Sequence, residues 1–205
     1  MIDLYTSGTG NGFRAAIALA ESGLPHRTHK IDLTKGEQKT PEFLKRNPAG
    51  AIPVMVDSDG AGGKEVTVSQ SGAIALYLAE KSGKFLPKDA ARRAVAWQWF
   101  MQATTDVGPA SSMIFMSSGA LPDKSPGNTA FFENRLLGFL RLCDQQLAGR
   151  EFLADEISVA DLALYPVVAS RKALIEKAGG MPNLSRWATA MAARPGVQRG
   201  MKLPD

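Results

Sequence analysis

The chain has 205 residues, 44% of them hydrophobic, and a formal net charge of +4, which suits one globular unit or two small ones. No apolar run reaches the roughly 18 residues of a membrane span, and no basic segment leads into an apolar stretch at the N-terminus. We therefore expect a cytoplasmic protein without membrane association. Lysine and arginine are scattered rather than clustered, which argues against a nucleic-acid partner.

The first part of the chain predicts strands that alternate with helices. In chain order, it predicts a strand over 2–5, a loop over 7–12, a helix over 13–22, a strand over 26–32, a short helix from Thr40-Pro41, a hairpin of 53–57 with 64–69, and a helix from Ser71 to Gly83. This order predicts a mixed four-stranded sheet flanked by helices.

The second part of the chain has no strand candidate. Helical spacing of apolar residues covers 90–105, 126–147, 158–178 and 184–193. Ser158-Val-Ala-Asp161 has the form of a capping box in front of an apolar run. We expect a domain over 1–82, a linker over 83–89 and an all-helical domain over 90–205.

Cysteine and histidine usage limits the chemistry. Cys143 is the only cysteine, and it falls within a helical segment, so neither a Cys-x-x-Cys pair nor an intrachain disulfide is possible. His26 and His29 share one short strand without a partner at metal-binding spacing, so we expect no metal site and place both at the surface. If the protein carries out thiol chemistry, the sulfur must come from a ligand.

Asn47-Pro-Ala-Gly-Ala-Ile-Pro53 ends a helix, turns and enters a strand through an Ile-Pro bond. A cis bond before proline costs only about 0.5–1 kcal/mol. Here it would turn the N–H and C=O of Ile52 outward, where they can pair with the backbone of a bound peptide. The alternative is an ordinary loop proline before an edge strand.

Val68-Ser-Gln-Ser-Gly-Ala-Ile-Ala75 ends a strand and opens a helix with the polar pair Gln70-Ser71. One of this pair is expected at the N-cap, where free N–H groups and the positive end of the helix dipole attract a carboxylate. A plain serine cap is the alternative. The two segments together predict a site for a small peptide with a charged end.

These segments, with the opening residues 1–12 and the runs 35–39 and 40–48, resemble the cytosolic glutathione transferases, and most closely the bacterial nu-class group. The resemblance covers essentially the whole chain. It implies a thioredoxin-like N-terminal domain and an all-α C-terminal bundle, an α+β/α fold class. It also implies a homodimer, glutathione as co-substrate, no bound cofactor, and a second substrate that is a small apolar compound, a disulfide or a peroxide.

The nucleophile is the thiolate of glutathione. Because a free thiol has a pKa near about 8.5 and is mostly protonated at neutral pH, the protein must stabilise the thiolate with hydrogen-bond donors. The resemblance makes Thr9 and Asn11 the catalytic candidates, although Asn11 is also a plausible helix cap. The same resemblance assigns the rest of the ligand to Gln38, Ile52, Pro53, Gln70 and Ser71, and sends Arg135 into a neighbouring subunit's site. An ordinary helix-surface arginine is the other interpretation of Arg135.

Two positions depart from the family pattern. Ala51 stands where many relatives have lysine or asparagine, and Gly10 replaces a proline between Thr9 and Asn11. The sequence therefore predicts a glutathione-dependent transferase, or a disulfide or peroxide reductase, that stabilises the glutathione thiolate. The alternative is a non-catalytic binding or assembly protein on the same scaffold.

Overall fold

The computed structural model describes residues 1–202. They form two compact units, of which the first comprises residues 1–84 and the described residues from Ala193 onward, and the second comprises residues 85–192. The division between residues 84 and 85 lies inside the segment predicted as a linker.

The first unit contains one sheet, and its strands are β1 (Ile2–Thr6), β2 (His26–Lys30), β3 (Val54–Asp57) and β4 (Val66–Ser69). The strand order is β2-β1-β3-β4, with β1 and β2 parallel and the other two pairings antiparallel. This arrangement confirms the predicted mixed four-stranded sheet of a thioredoxin-like domain.

The two faces of β1 differ in character. Ile2, Leu4 and Thr6 are buried, as the period of two requires. Tyr5 lies on the opposite face, where its ring stacks on His29 at 4.5 Å between centroids. His29 Nε2 also lies 2.6 Å from Asp3 Oδ1, so His29 is a half-buried, paired residue rather than the plain surface residue that its position predicts.

Within residues 1–202 the α-helices are α1 (Gly10–Ser22), α2 (Pro41–Arg46), α3 (Ser71–Ser82), α4 (Ala90–Met101), α5 (Gly108–Phe115), α6 (Pro126–Gln146), α7 (Val159–Ser170), α8 (Lys172–Lys177), α9 (Pro182–Ala192) and α10 (Pro195–Gly200). Helix α1 begins three residues before the predicted start at Phe13. The reason is the side chain of Thr9, which caps the helix and draws the glycine-rich segment into its first turn.

The last helix belongs to the first unit. Helix α10 packs on α1, Arg194 Nη2 lies 2.6 Å from Glu21 Oε2, and Glu21 Oε1 also accepts from the amide of Val197 at 3.1 Å. The prediction of one helical domain over 90–205 is therefore corrected from residue 193 onward. This long-range contact leaves no signature in local sequence.

The second unit is entirely helical apart from an isolated bridge between Ala154 and Glu156, as far as the structure describes it. Residues 102–107 and 116–120 form π-helical segments on either side of α5, a stretch for which the sequence predicts no helix beyond residue 105. Between residues 1 and 202, no helix combines the length and the apolar character needed to cross a bilayer.

The predicted capping box starts α7. Asp161 Oδ2 accepts from the amide of Ser158 at 2.9 Å, while Asp161 Oδ1 accepts from the amide of Leu153 at 3.1 Å and from Trp187 Nε1 at 2.9 Å. All of these groups are buried. The box therefore ties α7 to α9 and to the loop before it, beyond the local role that its sequence predicts.

Candidate functional site

The loop between β1 and α1 holds Thr9 in a conformation that leaves its hydroxyl proton without an acceptor among the described residues. Thr9 Oγ1 accepts a hydrogen bond of 3.1 Å from the amide of Gly12. Because a hydroxyl both donates and accepts, its own proton remains available to a ligand. The amides of Gly10 and Asn11, in the first turn, have no acceptor within the helix and add to the positive character of this end.

Asn11 is exposed, but its side chain is held in place. Its Oδ1 accepts a hydrogen bond of 2.8 Å from Nη1 of Arg14, one turn further along α1. The interpretation of Asn11 as the helix cap is wrong, because Thr9 performs that role. The NH₂ group of Asn11 has no hydrogen-bond partner among the described residues and is free to donate.

Arg14 lies beside two of the candidate site residues, Asn11 and Ser71, and the sequence interpretation misses it. It is only 3% exposed, and its Nη1 donates to Ser71 Oγ at 2.9 Å as well as to Asn11. Burial disfavours the charged guanidinium and lowers the pKa of Arg14 to about 10, so Arg14 remains a cation at neutral pH. An arginine that interrupts an apolar run, three residues after a polar side chain, is the sequence signal that points to it.

Gln70 and Ser71 lie at the start of α3. Gln70 has φ 72° and ψ 117°, and its side chain makes no capping hydrogen bond. Gln70 is the N-cap residue, as predicted, whereas Ser71 is 6% exposed and contacts Arg14, so the alternative of a plain serine cap is wrong. A non-glycine residue with positive φ is strained, and such strain is concentrated at ligand sites.

The Ile52–Pro53 peptide bond is cis, as predicted. Within the described chain, neither the N–H nor the C=O of Ile52 takes part in a hydrogen bond. Asn47 fixes the loop before it, since Asn47 Nδ2 donates to the carbonyl of Ala51 at 2.7 Å and Asn47 Oδ1 accepts from the amide of Ala49 at 3.2 Å. A rigid loop thus presents a free peptide group beside the sheet.

Gln38 lies in a short 3₁₀ turn next to this loop. A β-carbon built on Gly50 would be 3.1 Å from the carbonyl oxygen of Gln38, and Lys39 Nζ donates to the carbonyl of Ala49 at 3.3 Å. Oε1 of Gln38 is buried without a hydrogen-bond partner in the described part of the chain. Such an orphaned oxygen is costly unless a ligand or water satisfies it.

Two further residues belong to the second unit. Arg135 is an exposed residue of α6, and its guanidinium lies 5.1 Å from the centre of the Phe139 ring. Cys143 is 1% exposed; its burial, and secondarily the charge of Asp161, raise the pKa of its thiol to about 12. Cys143 is therefore not a reactive thiolate at neutral pH.

Known proteins with the same organisation were found by comparison. Residues 11–81 match the sequence profile described as "Glutathione S-transferase, N-terminal domain", and residues 112–199 match "Glutathione S-transferase, C-terminal domain". Disulfide-bond oxidoreductase YfcG of Escherichia coli is 32% identical over 98% of this chain and 94% of its own length.

Two solved structures extend the comparison. A glutathione transferase from Pseudomonas putida with one glutathione disulfide bound per subunit superposes with a TM-score of 0.92 at 30% identity, over 100% of this chain and 92% of that one. A glutathione transferase from Burkholderia graminis with two glutathione molecules per subunit gives a TM-score of 0.92 at 33% identity, over 100% and 88%. This chain therefore belongs to the glutathione S-transferase family.

Proposed function

We propose that this protein is a glutathione-dependent thiol–disulfide oxidoreductase. It binds reduced glutathione at the N-terminal ends of α1 and α3 and stabilises the thiolate for attack on a disulfide. The observation that carries the proposal is the hydrogen bonding of Thr9 and Asn11. Thr9 Oγ1 accepts from the amide of Gly12 and Asn11 Oδ1 accepts from Arg14, while the hydroxyl proton of Thr9 and the NH₂ group of Asn11 are unused.

Those donors meet the main chemical requirement. A free thiol with a pKa near about 8.5 is mostly protonated at neutral pH, and each added hydrogen bond to the anion lowers that pKa. The positive end of α1 acts in the same direction. Because Cys143 is buried and unreactive, the nucleophilic sulfur is that of glutathione.

The remaining candidate residues suit the rest of the tripeptide. Ser71 and Gln70, at the start of α3, would hold the γ-glutamyl end, and the free peptide group of Ile52 beside Pro53 would pair with the ligand backbone. At the glycine end, the side-chain NH₂ of Gln38 would donate to the carboxylate, and its orphaned Oε1 would accept from the glycine N–H. The relatives of known structure that bind glutathione or its disulfide support this assignment.

The reaction takes place in two exchanges. The thiolate of one glutathione attacks one sulfur of the substrate disulfide, the S–S bond breaks, and the leaving thiolate takes up a proton. A second glutathione thiolate then attacks the mixed disulfide at the glutathione sulfur, which releases the second substrate thiol and forms glutathione disulfide. Two glutathione molecules are oxidised for each disulfide reduced, and Thr9 and Asn11 stabilise the attacking thiolate.

Steady-state turnover of bis(2-hydroxyethyl) disulfide with glutathione tests the proposal. We expect the double variant T9A/N11A to lose at least tenfold in kcat/KM and to remain folded. S125A is the matched control, because Ser125 caps α6 through the amide of Asn128 as Thr9 caps α1 through that of Gly12. If T9A/N11A turns over as fast as S125A, the assignment of Thr9 and Asn11 fails.

The same thiolate can also attack an electrophile or a peroxide. Parallel assays with 1-chloro-2,4-dinitrobenzene and cumene hydroperoxide rank these activities against disulfide reduction.

The alternative of a non-catalytic binding or assembly protein is favoured by Ala51, which is exposed and offers no polar side-chain contact. Calorimetric titration that shows glutathione binding without turnover of any of the three substrates would establish that alternative.

We further propose a cytoplasmic homodimer in which Arg135 reaches the glutathione site of the partner subunit. The observation that supports this role is that Arg135 is an exposed residue of α6. Sedimentation velocity tests the oligomeric state. R135A is expected to raise the KM for glutathione, whereas an ordinary surface arginine would leave it unchanged.

A further inference from the structure

Arg14 determines which way the carboxamide of Asn11 faces. A guanidinium carries only donors, so the Asn11 atom 2.8 Å from Arg14 Nη1 must be the oxygen. The NH₂ group of Asn11 therefore points away from Arg14. No such constraint would exist if the neighbour were a hydroxyl or an amide, which can both donate and accept.

Arg14 is itself fixed by its surroundings. It is 3% exposed on the buried side of α1, and Nη1 also donates to Ser71 Oγ at 2.9 Å. Ser71 Oγ lies 3.5 Å from Asn11 Oδ1, which closes a triangle of three polar side chains. The starts of α1 and α3 are thus joined by hydrogen bonds among these three side chains.

We propose that Arg14 is a positioning residue: it locks the Asn11 carboxamide with its NH₂ toward the glutathione sulfur and couples this orientation to Ser71 at the γ-glutamyl end. The inference rests on the proposed function, because it assigns a role to Arg14 within the same glutathione site. It adds a residue that need not touch the sulfur yet controls how strongly the sulfur is stabilised.

The test measures the acidity of bound glutathione from the ultraviolet absorbance of its thiolate, titrated against pH with the full-length protein. R14Q and N11A are each expected to raise the pKa of the bound thiol by about 1 pH unit, a tenfold change in the thiol–thiolate equilibrium. R14K keeps a donor-only cation and should restore most of the wild-type acidity. The control is R171Q, because Arg171 of the second unit is a half-buried arginine that holds Ser111.

The double variant N11A/R14Q separates positioning from a direct effect of charge. If Arg14 acts through Asn11, the double variant raises the pKa of the bound thiol no further than N11A alone. If the two effects add, Arg14 acts on the sulfur by its charge, and the proposed positioning role is overturned. Equal acidity in R14Q and the wild type overturns it as well.

N11D provides a test that does not depend on how Arg14 variants fold. Arg14 would hold one carboxylate oxygen of this nearly isosteric side chain, and the other oxygen would face the sulfur where the NH₂ stood. We expect the bound thiol to be less acidic in N11D than in N11A, because a donor becomes an acceptor. Wild-type acidity in N11D overturns the inference, whereas failure of the wild-type protein to bind glutathione in calorimetry overturns the proposed function itself.

Discussion

Gly12 lies directly against the carbonyl of Ser7. A β-carbon built on Gly12 would be 1.9 Å from the carbonyl oxygen of Ser7 and 2.7 Å from Thr6 Oγ1. No side chain fits between the end of β1 and the first turn of α1 without moving the backbone. The shape of the loop that carries Thr9 and Asn11 therefore depends on this glycine.

G12A tests that dependence. We expect a loss of about 1–3 kcal/mol in the free energy of unfolding, since the added carbon collides with backbone atoms that cannot rotate away. Glutathione affinity should fall with it, because the amide of Gly12 also donates to Thr9 Oγ1. Chemical denaturation and calorimetric titration measure the two effects.

G10A is the matched control two residues away. A β-carbon on Gly10 meets no atom within 4 Å, so the free energy of unfolding should be unchanged or slightly higher. Equal stability losses in G12A and G10A would contradict the role assigned to Gly12.

The geometry of the site also depends on Asn47. It is 7% exposed and bonds to Ala49 and Ala51, which fixes the loop that leads to Ile52. N47A should destabilise the protein by about 1–3 kcal/mol, because the partner groups lose their hydrogen bonds. The KM for glutathione should rise by a larger factor than kcat falls, since Ile52 is assigned to binding rather than to the sulfur.

Asn128, an exposed residue of α6, supplies the control for that substitution. N128A should match the wild type in both steady-state parameters. A fall in kcat for N47A without any rise in KM would show that the loop acts on the chemical step instead.

The carboxylate of Asp57 gives a pH-dependent prediction. Burial alone would raise the pKa of Asp57, but hydrogen bonds from Lys81 and Tyr77, at 2.6 and 2.7 Å, outweigh it and lower the pKa below the usual value. A carboxylate whose pKa is lower in the folded than in the unfolded chain stabilises the fold at pH values above about 3.9, the pKa of an unfolded aspartate. That contribution is lost as the pH falls through the pKa of the folded state.

The corresponding variant is D57N. Its free energy of unfolding should be lower than that of the wild type at pH 7 by about 1.5–3 kcal/mol, the range for hydrogen bonds to a charged group. The difference should shrink as the pH falls below about 4. Urea denaturation from pH 3 to pH 7 measures it, with D123N as a control at an exposed carboxylate. A difference between D57N and wild type that stays constant with pH would contradict the assigned pKa direction.

Gly200 tests the position of the last helix. A β-carbon on Gly200 would be 2.5 Å from the α-carbon of Ile17, so α10 packs on α1 with no room for a side chain. G200A should lower the free energy of unfolding by about 1–3 kcal/mol. G138A, at an exposed glycine of α6 with no atom within 4 Å, should instead gain up to about 1 kcal/mol in helix propensity.

Local signals in the sequence are enough to predict much of this fold. The strand predicted over 2–5, the Ile52–Pro53 corner and the capping box at Ser158 each depend on neighbouring residues, and the structure bears them out. Long-range contacts are the features that the sequence does not reveal. Arg14 and Ser71 are 57 positions apart in the chain, and nothing in either segment indicates that they meet.

The differences at element ends have similar causes. Glycines at positions 8, 10 and 12 predict a loop, yet the Thr9 side chain draws Gly10 and Gly12 into α1. Helix α10 is six residues long and is held by packing on α1, so its own periodicity is too short to predict it.

The acidity of glutathione in the complex tests the central claim most directly. The thiolate absorbance of glutathione bound to the wild-type protein should titrate well below the value of about 8.5 for a free thiol. In T9A/N11A it should return toward that value. A wild-type complex in which the thiol titrates like free glutathione would contradict the account, since Thr9 and Asn11 would then not stabilise the thiolate.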